Sequence, residues 1–278
     1  MLDERRLSRV IEKMTTDCLL ITDPVSIAYL CGKKIEPGER FLGLLIGKGI
    51  EPVLILNQLF RFSEEIGVRV EYYKDTDRIT TIISKFIDKN SSLGVDKIMP
   101  ARFLIPMMEE SIATEFKLGS YAVDHTRAIK DAREQELMRA ASHINDLAMA
   151  EFKKLIHDGV TEVEVASQML DIYQRLGASG YSFEPIVAFG KNAADPHHMP
   201  DDTVLQEGDT VLFDVGCVVN GYCSDMTRTF FYKKYPNAEQ VEVYNLVRKA
   251  NESAESYCKP GVRLCDIDAV ARNIITDG

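Results

Sequence analysis

Two aspartates set eleven residues apart are the side chains of this sequence best suited to binding a metal ion. Asp214 lies near the end of a β-rich run and Asp225 near the beginning of the next, with Asn-Gly at positions 220–221 between them. Asn-Gly between two such runs is typical of a two-residue type I′ hairpin loop, because both central residues need a positive φ. The loop therefore predicts that Val219 pairs with Tyr222 in an antiparallel hairpin.

The predicted pairing places both aspartates on one face of the hairpin. Counting back from the loop sets Asp214 opposite Thr227 and Gly216 opposite Asp225, and side chains alternate between the two faces. Diagonal neighbours of this kind lie roughly 7–8 Å apart at the backbone, and their side chains come closer. We also expect Thr227 to support Asp214 with its hydroxyl and Gly216 to leave open space beside Asp225.

Two carboxylates at this spacing repel each other unless a cation or a shared proton lies between them. The nearest basic residue, Arg228, stands three positions after Asp225, and this odd separation points it toward the opposite face. A carboxylate pair without a basic neighbour favours a site for divalent metal ions. The alternative is that each aspartate caps a turn or pairs with a distant lysine, since aspartate near glycine is common in ordinary turns.

The segments before the hairpin follow one another in a distinctive order. They are Arg-Ala-Ile-Lys-Asp at 127–131, a helix that includes Glu134, Phe-Glu-Pro-Ile-Val-Ala-Phe-Gly at 183–190, Lys-Asn-Ala-Ala-Asp-Pro-His at 191–197, and Glu-Gly-Asp-Thr-Val at 207–211. With the hairpin, this order resembles the metallopeptidase family that contains prolidase (Xaa-Pro dipeptidase), aminopeptidase P, creatinase and methionine aminopeptidase. The resemblance is closest to the proline-specific peptidases.

The resemblance implies a role for particular residues. It implies that Asp214 chelates one metal ion and that Asp225 bridges two. It also implies that His197, which follows Pro196, lines the substrate pocket and steadies the tetrahedral intermediate. His198 falls where relatives often carry a small residue, so we expect it to be a solvated histidine in a surface loop.

The resemblance further implies metal ligands that this sequence does not contain. In the family, a histidine in a glycine-rich stretch and two later glutamates complete the site, and they correspond to positions beyond Gly278. Residues 271–278 resemble the helix that precedes this histidine. Because two carboxylates alone hold an ion weakly, we expect the 278-residue chain by itself to bind metal poorly and to be inactive or nearly so.

The expected activity of the complete protein is hydrolysis of the bond before proline in dipeptides, with two divalent ions activating water. Oxygen-rich ligation suits Mn²⁺, with Co²⁺ or Zn²⁺ as substitutes. Aminopeptidase P, which takes longer proline-containing peptides, is the nearest alternative, and creatinase shares the fold. A non-catalytic homologue that serves as a binding or dimerisation module is the alternative from another functional class. The resemblance also implies a homodimer.

Composition agrees with a cytoplasmic enzyme and disfavours other classes. The 278 residues carry a net charge of −10, which argues against nucleic acid and anionic membrane partners. The amino terminus lacks the apolar stretch of a signal peptide, and the six cysteines form no Cys-x-x-Cys pair. The glycines at 43–49 do not open a helix, which disfavours a phosphate-binding loop, and there is no Gly-x-Ser-x-Gly elbow.

Element patterns predict an α/β chain of two domains. Residues 1–124 alternate between helices (2–14 and 79–88) and strands (18–22, 41–47, 52–57, 68–73 and 92–96), and they resemble the amino-terminal domain of prolidase and creatinase. Methionine aminopeptidases lack this domain. Residues 125–278 would form the first part of a pita-bread catalytic domain, in which Asp131 with Glu134 and Thr161 with Glu164 are predicted capping pairs at two helix starts.

Overall fold

A computed structural model describes all 278 residues and divides them into two compact units, Met1–Lys130 and Asp131–Gly278. The division expected after residue 124 falls inside the last helix of the first unit, Ser120–Ala128. The α/β fold class is confirmed. The structure has no helix with both the length and the apolar character that a bilayer span requires.

The first unit is built on a mixed six-stranded sheet of order β4-β3-β2-β1-β5-β6. Its strands are β1 (Cys18–Ile21), β2 (Leu42–Gly47), β3 (Ile50–Asn57), β4 (Arg69–Tyr73), β5 (Ser92–Val95) and β6 (Glu115–Leu118). Its helices are α1 (Glu4–Lys13), α2 (Pro24–Cys31), α3 (Ile79–Ile83), α4 (Ala101–Glu109) and α5 (Ser120–Ala128).

Strands β1 and β2 are buried along their whole length and β3 is buried from Val53 onward, because both faces of the sheet are covered there. Leu19 and Ile21 belong to one buried cluster, whereas Cys18 and Leu20 belong to another on the opposite face. Strands buried on both faces appear in sequence as continuous apolar runs, and this is why β1 to β3 could be predicted. No element was predicted for α4, which contains Pro106 in its interior.

The second unit packs helices against two small antiparallel sheets, of order β11-β10-β7 and β12-β9-β8. Its strands are β7 (Gly180–Tyr181), β8 (Ile186–Phe189), β9 (Thr210–Val215), β10 (Cys217–Val219), β11 (Tyr222–Cys223) and β12 (Met226–Phe231). Its helices are α6 (Ala132–Phe152), α7 (Glu162–Arg175), α8 (Ala238–Tyr257) and α9 (Leu264–Asp277).

Two helix starts in the second unit form as predicted. Asp131 accepts from the backbone of Glu134 while the Glu134 side chain accepts from the backbone of Asp131, and Thr161 and Glu164 make the same reciprocal pair. Each capping box satisfies two backbone donors that a helix start leaves open, and replacing a cap by alanine typically costs about 1 kcal/mol. These caps fix where α6 and α7 begin.

The core of the second unit determines which face of β9 is polar. Val211, Phe213 and Val215 are fully buried, and the Phe213 ring packs against Phe152 and Phe230 at centroid distances of 6.3 and 5.8 Å. A shift of register by one residue would turn all three side chains toward solvent. The intervening residue, Asp214, is therefore held on the opposite face.

Candidate functional site

The hairpin that carries the two aspartates has the predicted register. Asn220 and Gly221 have φ values of 50° and 83°, Val219 pairs with Tyr222, and Asp214 pairs with Thr227. The two strands do not stay in one sheet, because β9 and β12 belong to one sheet and β10 and β11 to the other. The division falls at Gly216 on one strand and just before Met226 on the other, next to both aspartates.

Asp214 is partly buried, and its Oδ1 is a buried atom without a hydrogen-bond partner. Burial raises the pKa of the Asp214 carboxyl, the negative charge of Asp225 raises that pKa further, and the nearby Thr227 hydroxyl acts in the opposite direction. The two carboxylates therefore lie close enough for the charge of one to affect the other. Asp225 itself is exposed.

No lysine or arginine of the protein forms an ion pair with either aspartate. The Arg228 side chain is exposed and donates to the carbonyl of Thr227 at 2.8 Å. Hard divalent ions prefer carboxylate oxygens as ligands. Asp214 offers such an oxygen, which is buried, accepts no hydrogen bond and lies beside a second carboxylate without a neighbouring cation. The residues at the hairpin thus fit a divalent metal ion.

The space beside Gly216 is filled, and the expectation that it is open was wrong. A Cβ atom at Gly216 would lie 2.1 Å from Ser182 Oγ, 2.2 Å from the Ser224 carbonyl oxygen and 2.8 Å from the Phe183 ring. Ser182 donates its backbone N–H to the Gly216 carbonyl at 3.1 Å and its hydroxyl to the Ser224 carbonyl at 2.8 Å. Glycine is required here because the segment between β7 and β8 runs alongside this strand and the Ser182 side chain reaches across Gly216 to the Ser224 carbonyl.

A buried polar pair holds β9 from the side of the helices. Asn145 on α6 donates through Nδ2 to the carbonyl of Val215 at 3.1 Å, and the Tyr173 hydroxyl on α7 donates to Asn145 Oδ1 at 2.6 Å. Both side chains are fully buried. The pair anchors the residue that follows Asp214, and from sequence Tyr173 appeared only as part of an apolar helix stripe.

A second group of potential metal ligands lies elsewhere in the same unit. Ligand atoms of Glu162, His198 and Asp201 all lie within 4.8 Å of one another. The expectation that His198 is solvated was wrong, because its side chain is only 13% exposed and its Nε2 lies 2.6 Å from Glu162 Oε2. From sequence, the pocket is assigned to His197 and solvent to His198, and no prediction is made for Glu162, which lies between the predicted capping residues Thr161 and Glu164.

His197 is exposed, and its backbone N–H donates to Asp195 Oδ1 at 2.9 Å. Neither a hydrogen bond nor an ion pair joins its ring to Asp214 or Asp225. The structure thus brings Asp214, Asp225 and Thr227 together and leaves His197 on a separate loop.

Comparison with known proteins places both units in recognised families. The family model described as metallopeptidase family M24 matches residues 136–278, and the model for the creatinase/prolidase N-terminal domain matches residues 5–129. An uncharacterized peptidase of Staphylococcus epidermidis is 33% identical over 98% of this chain and 78% of its own length.

Two solved structures are similar over nearly the whole chain. The prolidase from Pyrococcus horikoshii superposes with a TM-score of 0.88 at 28% identity, covering 99% of this chain and 78% of that one. The dipeptidase PepE from Mycobacterium ulcerans superposes with a TM-score of 0.89 at 28% identity, covering 98% of this chain and 76% of that one.

Proposed function

Because the chain belongs to metallopeptidase family M24, we propose that it is a proline-specific dipeptidase that hydrolyses the bond before proline in Xaa-Pro dipeptides. The observation that carries the proposal is the pair Asp214 and Asp225, two carboxylates without a basic partner on one face of a hairpin. The preference for proline is supported by the likeness to a prolidase over both units.

We propose that Asp214 and Asp225 hold divalent metal ions, with Mn²⁺ as the preferred ion and Co²⁺ or Zn²⁺ as substitutes. When bound, such ions polarise the scissile carbonyl and make water nucleophilic at neutral pH. The unpartnered Oδ1 of Asp214 supports a ligand role, because a buried acceptor without a donor is rare in folded proteins. Thr227 lies opposite Asp214, and its hydroxyl orients and stabilises that carboxylate.

His197 is proposed to act on the substrate rather than on the metal. A ring N–H of His197 would donate to the carbonyl oxygen of the scissile bond as that oxygen gains negative charge. Donors placed where charge develops are among the largest contributions to hydrolysis. The exposure of the His197 ring in the free protein is compatible with this role, since it leaves the ring nitrogens available to a substrate.

Substrate length distinguishes the proposed dipeptidase from an aminopeptidase P. The experiment compares Ala-Pro, Ala-Pro-Ala and Ala-Ala as substrates of the protein expressed from its complete gene, with Mn²⁺ added. A dipeptidase cleaves Ala-Pro and leaves the tripeptide, whereas an aminopeptidase P cleaves the tripeptide. Asp225→Asn should abolish either activity, while Asp146→Asn on the exposed side of α6 should retain it.

A non-catalytic binding module remains the alternative from another class. It would cleave none of these peptides and would show no anomalous scattering at the manganese edge in crystals soaked with Mn²⁺. Ordered Mn²⁺ at Asp214 and Asp225 together with cleavage of Ala-Pro would exclude it.

We also propose that the protein is a cytoplasmic homodimer. The three exposed free cysteines, which are Cys223, Cys258 and Cys265, support a reducing compartment. Light scattering coupled to size exclusion measures the oligomeric state, and a mass of one chain across the micromolar range would contradict the dimer.

A further inference from the structure

We infer that Glu162 is the positioning residue that fixes the His197 loop (residues 190–201) against the strand pair that carries Asp214. The inference rests on the proposed function, since it assigns Glu162 to the placement of a residue that acts on the substrate. Glu162 itself touches neither the aspartates nor the His197 ring. Its effect passes through the backbone of the loop and of β8.

Glu162 ties both ends of the His197 loop to one carboxylate. Its Oε1 accepts from the backbone N–H of Phe189 at 2.7 Å and from Asn192 Nδ2 at 3.0 Å. Its Oε2 accepts from the backbone N–H of Asp201 at 3.2 Å and from His198 Nε2 at 2.6 Å. The partners lie immediately before the loop, within it and at its end, so a single side chain constrains the whole segment.

The buried charge of Glu162 is compensated without a lysine or arginine. The side chain is completely buried, and an isolated carboxylate in such a place would be strongly unfavourable. Four hydrogen-bond donors compensate for the lost water, and Glu162 is the first residue of α7, where the helix dipole stabilises negative charge. With the Glu162 carboxylate as acceptor, the donor in the fourth hydrogen bond is the Nε2–H group of the His198 ring.

The same hydrogen bonds argue against a metal ion at Glu162, His198 and Asp201. A carboxylate offers about four acceptor positions, and the four donors use them. An ion at this place would have to displace the His198 ring, the Asn192 amide or the backbone N–H groups of Phe189 and Asp201 from Glu162. The cluster is therefore explained by anchoring of the loop.

The strand at the first end of the loop connects Glu162 to Asp214. Phe189 is the last residue of β8, and β8 pairs with β9 so that Phe189 lies opposite Val211 and Ile186 lies opposite Asp214. Further along, the Glu162 and Val163 N–H groups donate to the carbonyls of Thr203 and Asp201 at 3.2 and 3.1 Å. The loop is thus held by α7 at both of its ends and by the strand pair at the first end.

The anchor determines the direction of His197. His198 turns inward to Glu162 while the adjacent His197 is exposed, and Asp195 fixes the His197 backbone. Releasing His198 would let the backbone of both residues move. A displacement of about 1 Å in a catalytic group can lower turnover on the order of 100-fold, so the anchor matters for rate even where the fold survives.

The test uses two substitutions at His198, one of which keeps the donor. Gln reaches about as far as the histidine Nε2 and carries an N–H group, whereas Leu carries none. His198→Leu and Glu162→Gln are therefore compared with His198→Gln, and His143→Leu at an exposed position on α6 is the matched control. Amide hydrogen exchange is measured on the metal-free protein. The values of kcat and KM for Ala-Pro hydrolysis are measured with Mn²⁺ added, on the same variants of the protein expressed from its complete gene.

We expect His198→Leu to speed exchange at residues 190–201 while α7 and β9 keep wild-type rates. We expect kcat to fall on the order of 10- to 100-fold with KM within about twofold of wild type, because the loss affects the transition state rather than binding. His198→Gln should restore both quantities, and His143→Leu should change neither. If Glu162→Gln folds, it should show the same changes as His198→Leu. If Glu162→Gln does not fold, the comparison of His198→Leu with His198→Gln tests the inference by itself.

Three outcomes would overturn the inference. One is unchanged exchange in the loop of the His198→Leu variant. The second is faster exchange spread evenly over residues 131–278, which would mark general destabilisation. The third is faster exchange in the loop with wild-type kcat and KM. If wild-type protein cleaves no Xaa-Pro peptide, the proposed function fails, and exchange alone then decides whether Glu162 fixes the loop.

Discussion

Asp214 should destabilise the protein when no metal is bound, and Asp214→Asn measures the effect. Its Oδ1 is buried without a donor, and a buried acceptor left in this state costs about 1–3 kcal/mol. Partial exposure of the side chain and the nearby Thr227 hydroxyl both reduce the cost, so we expect a value near the lower end, about 1 kcal/mol. Asparagine keeps the shape of the side chain and a polar atom at this position but removes the charge, and an unpartnered neutral amide costs less to bury than an unpartnered carboxylate.

The pH dependence of the effect has a definite sign. The pKa of Asp214 is raised in the folded protein above its unfolded value of about 3.9, so the folded state holds the proton more tightly. The stability that the Asp214 carboxyl contributes is therefore fully present below the unfolded pKa. It decreases as the pH rises toward the raised folded pKa and is lost completely above that value. The penalty is present at pH 7 and absent below about pH 3.9.

Thermal unfolding in EDTA tests both statements. For a unit of this size, about 1 kcal/mol corresponds to roughly 2–4 °C in Tm, so Asp214→Asn should melt that much higher than wild type at pH 7. The difference should vanish at pH 3. Asp146→Asn, at an exposed position on α6, should leave Tm unchanged at both pH values.

Adding Mn²⁺ should reverse the order of stability in the protein expressed from its complete gene. Mn²⁺ at 100 times its Kd stabilises the folded state by about 2.7 kcal/mol, and Asp214→Asn has lost one of the two proposed carboxylate ligands. The reasoning is refuted if Asp214→Asn melts lower than wild type in EDTA at pH 7, or if the difference is the same at both pH values.

Three further substitutions test the support of the hairpin. Gly216→Ala places Cβ 2.2 Å from the Ser224 carbonyl oxygen, which cannot move freely, and should lower the free energy of unfolding in urea by at least about 1–3 kcal/mol. Tyr173→Phe leaves Asn145 Oδ1 without its donor and should cost about 1–3 kcal/mol in the same measurement. Asn220→Val, at φ 50°, should cost about 1–2 kcal/mol and shift hairpin amide resonances.

Matched controls separate these effects from general sensitivity to mutation. Gly180→Ala introduces the same methyl group where no atom lies within 4 Å and should change stability little. Tyr121→Phe removes a hydroxyl from an exposed ring, and Asn220→Gly keeps the left-handed turn. A loss of stability in these controls as large as in the three test variants would contradict the structural explanation.

The features that could be predicted from sequence are local in the chain. The Asn-Gly turn at 220–221 determines the register of the whole hairpin because pairing is counted from the loop, and each capping box spans only three residues. The strands β1 to β3 could also be predicted from sequence, since the buried part of each is a continuous apolar run. Helix α4 was missed because Pro106 inside it is normally a helix breaker.

The features that could not be predicted join distant parts of the chain. Ser182 fills the space beside Gly216 from the segment that precedes β8, and Asn145 reaches Val215 across 70 residues. Sequence spacing carries no information on which distant segments come into contact, so the position of a glycine on the same face as the two aspartates was taken for open space. Packing of the second unit decides these contacts, and the sequence pattern describes only each element by itself.

The contrast between two carboxylates in the same unit gives a physical criterion for separating structural from metal-binding roles. Glu162 is the more deeply buried, yet four hydrogen-bond donors satisfy it, so burial alone does not create a need for a cation. Asp214 is less buried but has an acceptor atom without a donor. This atom is the difference between the two, because each carboxylate has a second acidic residue beside it, Asp225 for Asp214 and Asp201 for Glu162. An ion gains most where the protein leaves charge uncompensated. If the proximity of ligand atoms were the criterion, the predicted metal site would be Glu162, His198 and Asp201. If unsatisfied hydrogen-bond acceptors are the criterion, the predicted metal site is Asp214 with Asp225. Measuring Mn²⁺ binding by variants of each group discriminates between the two criteria.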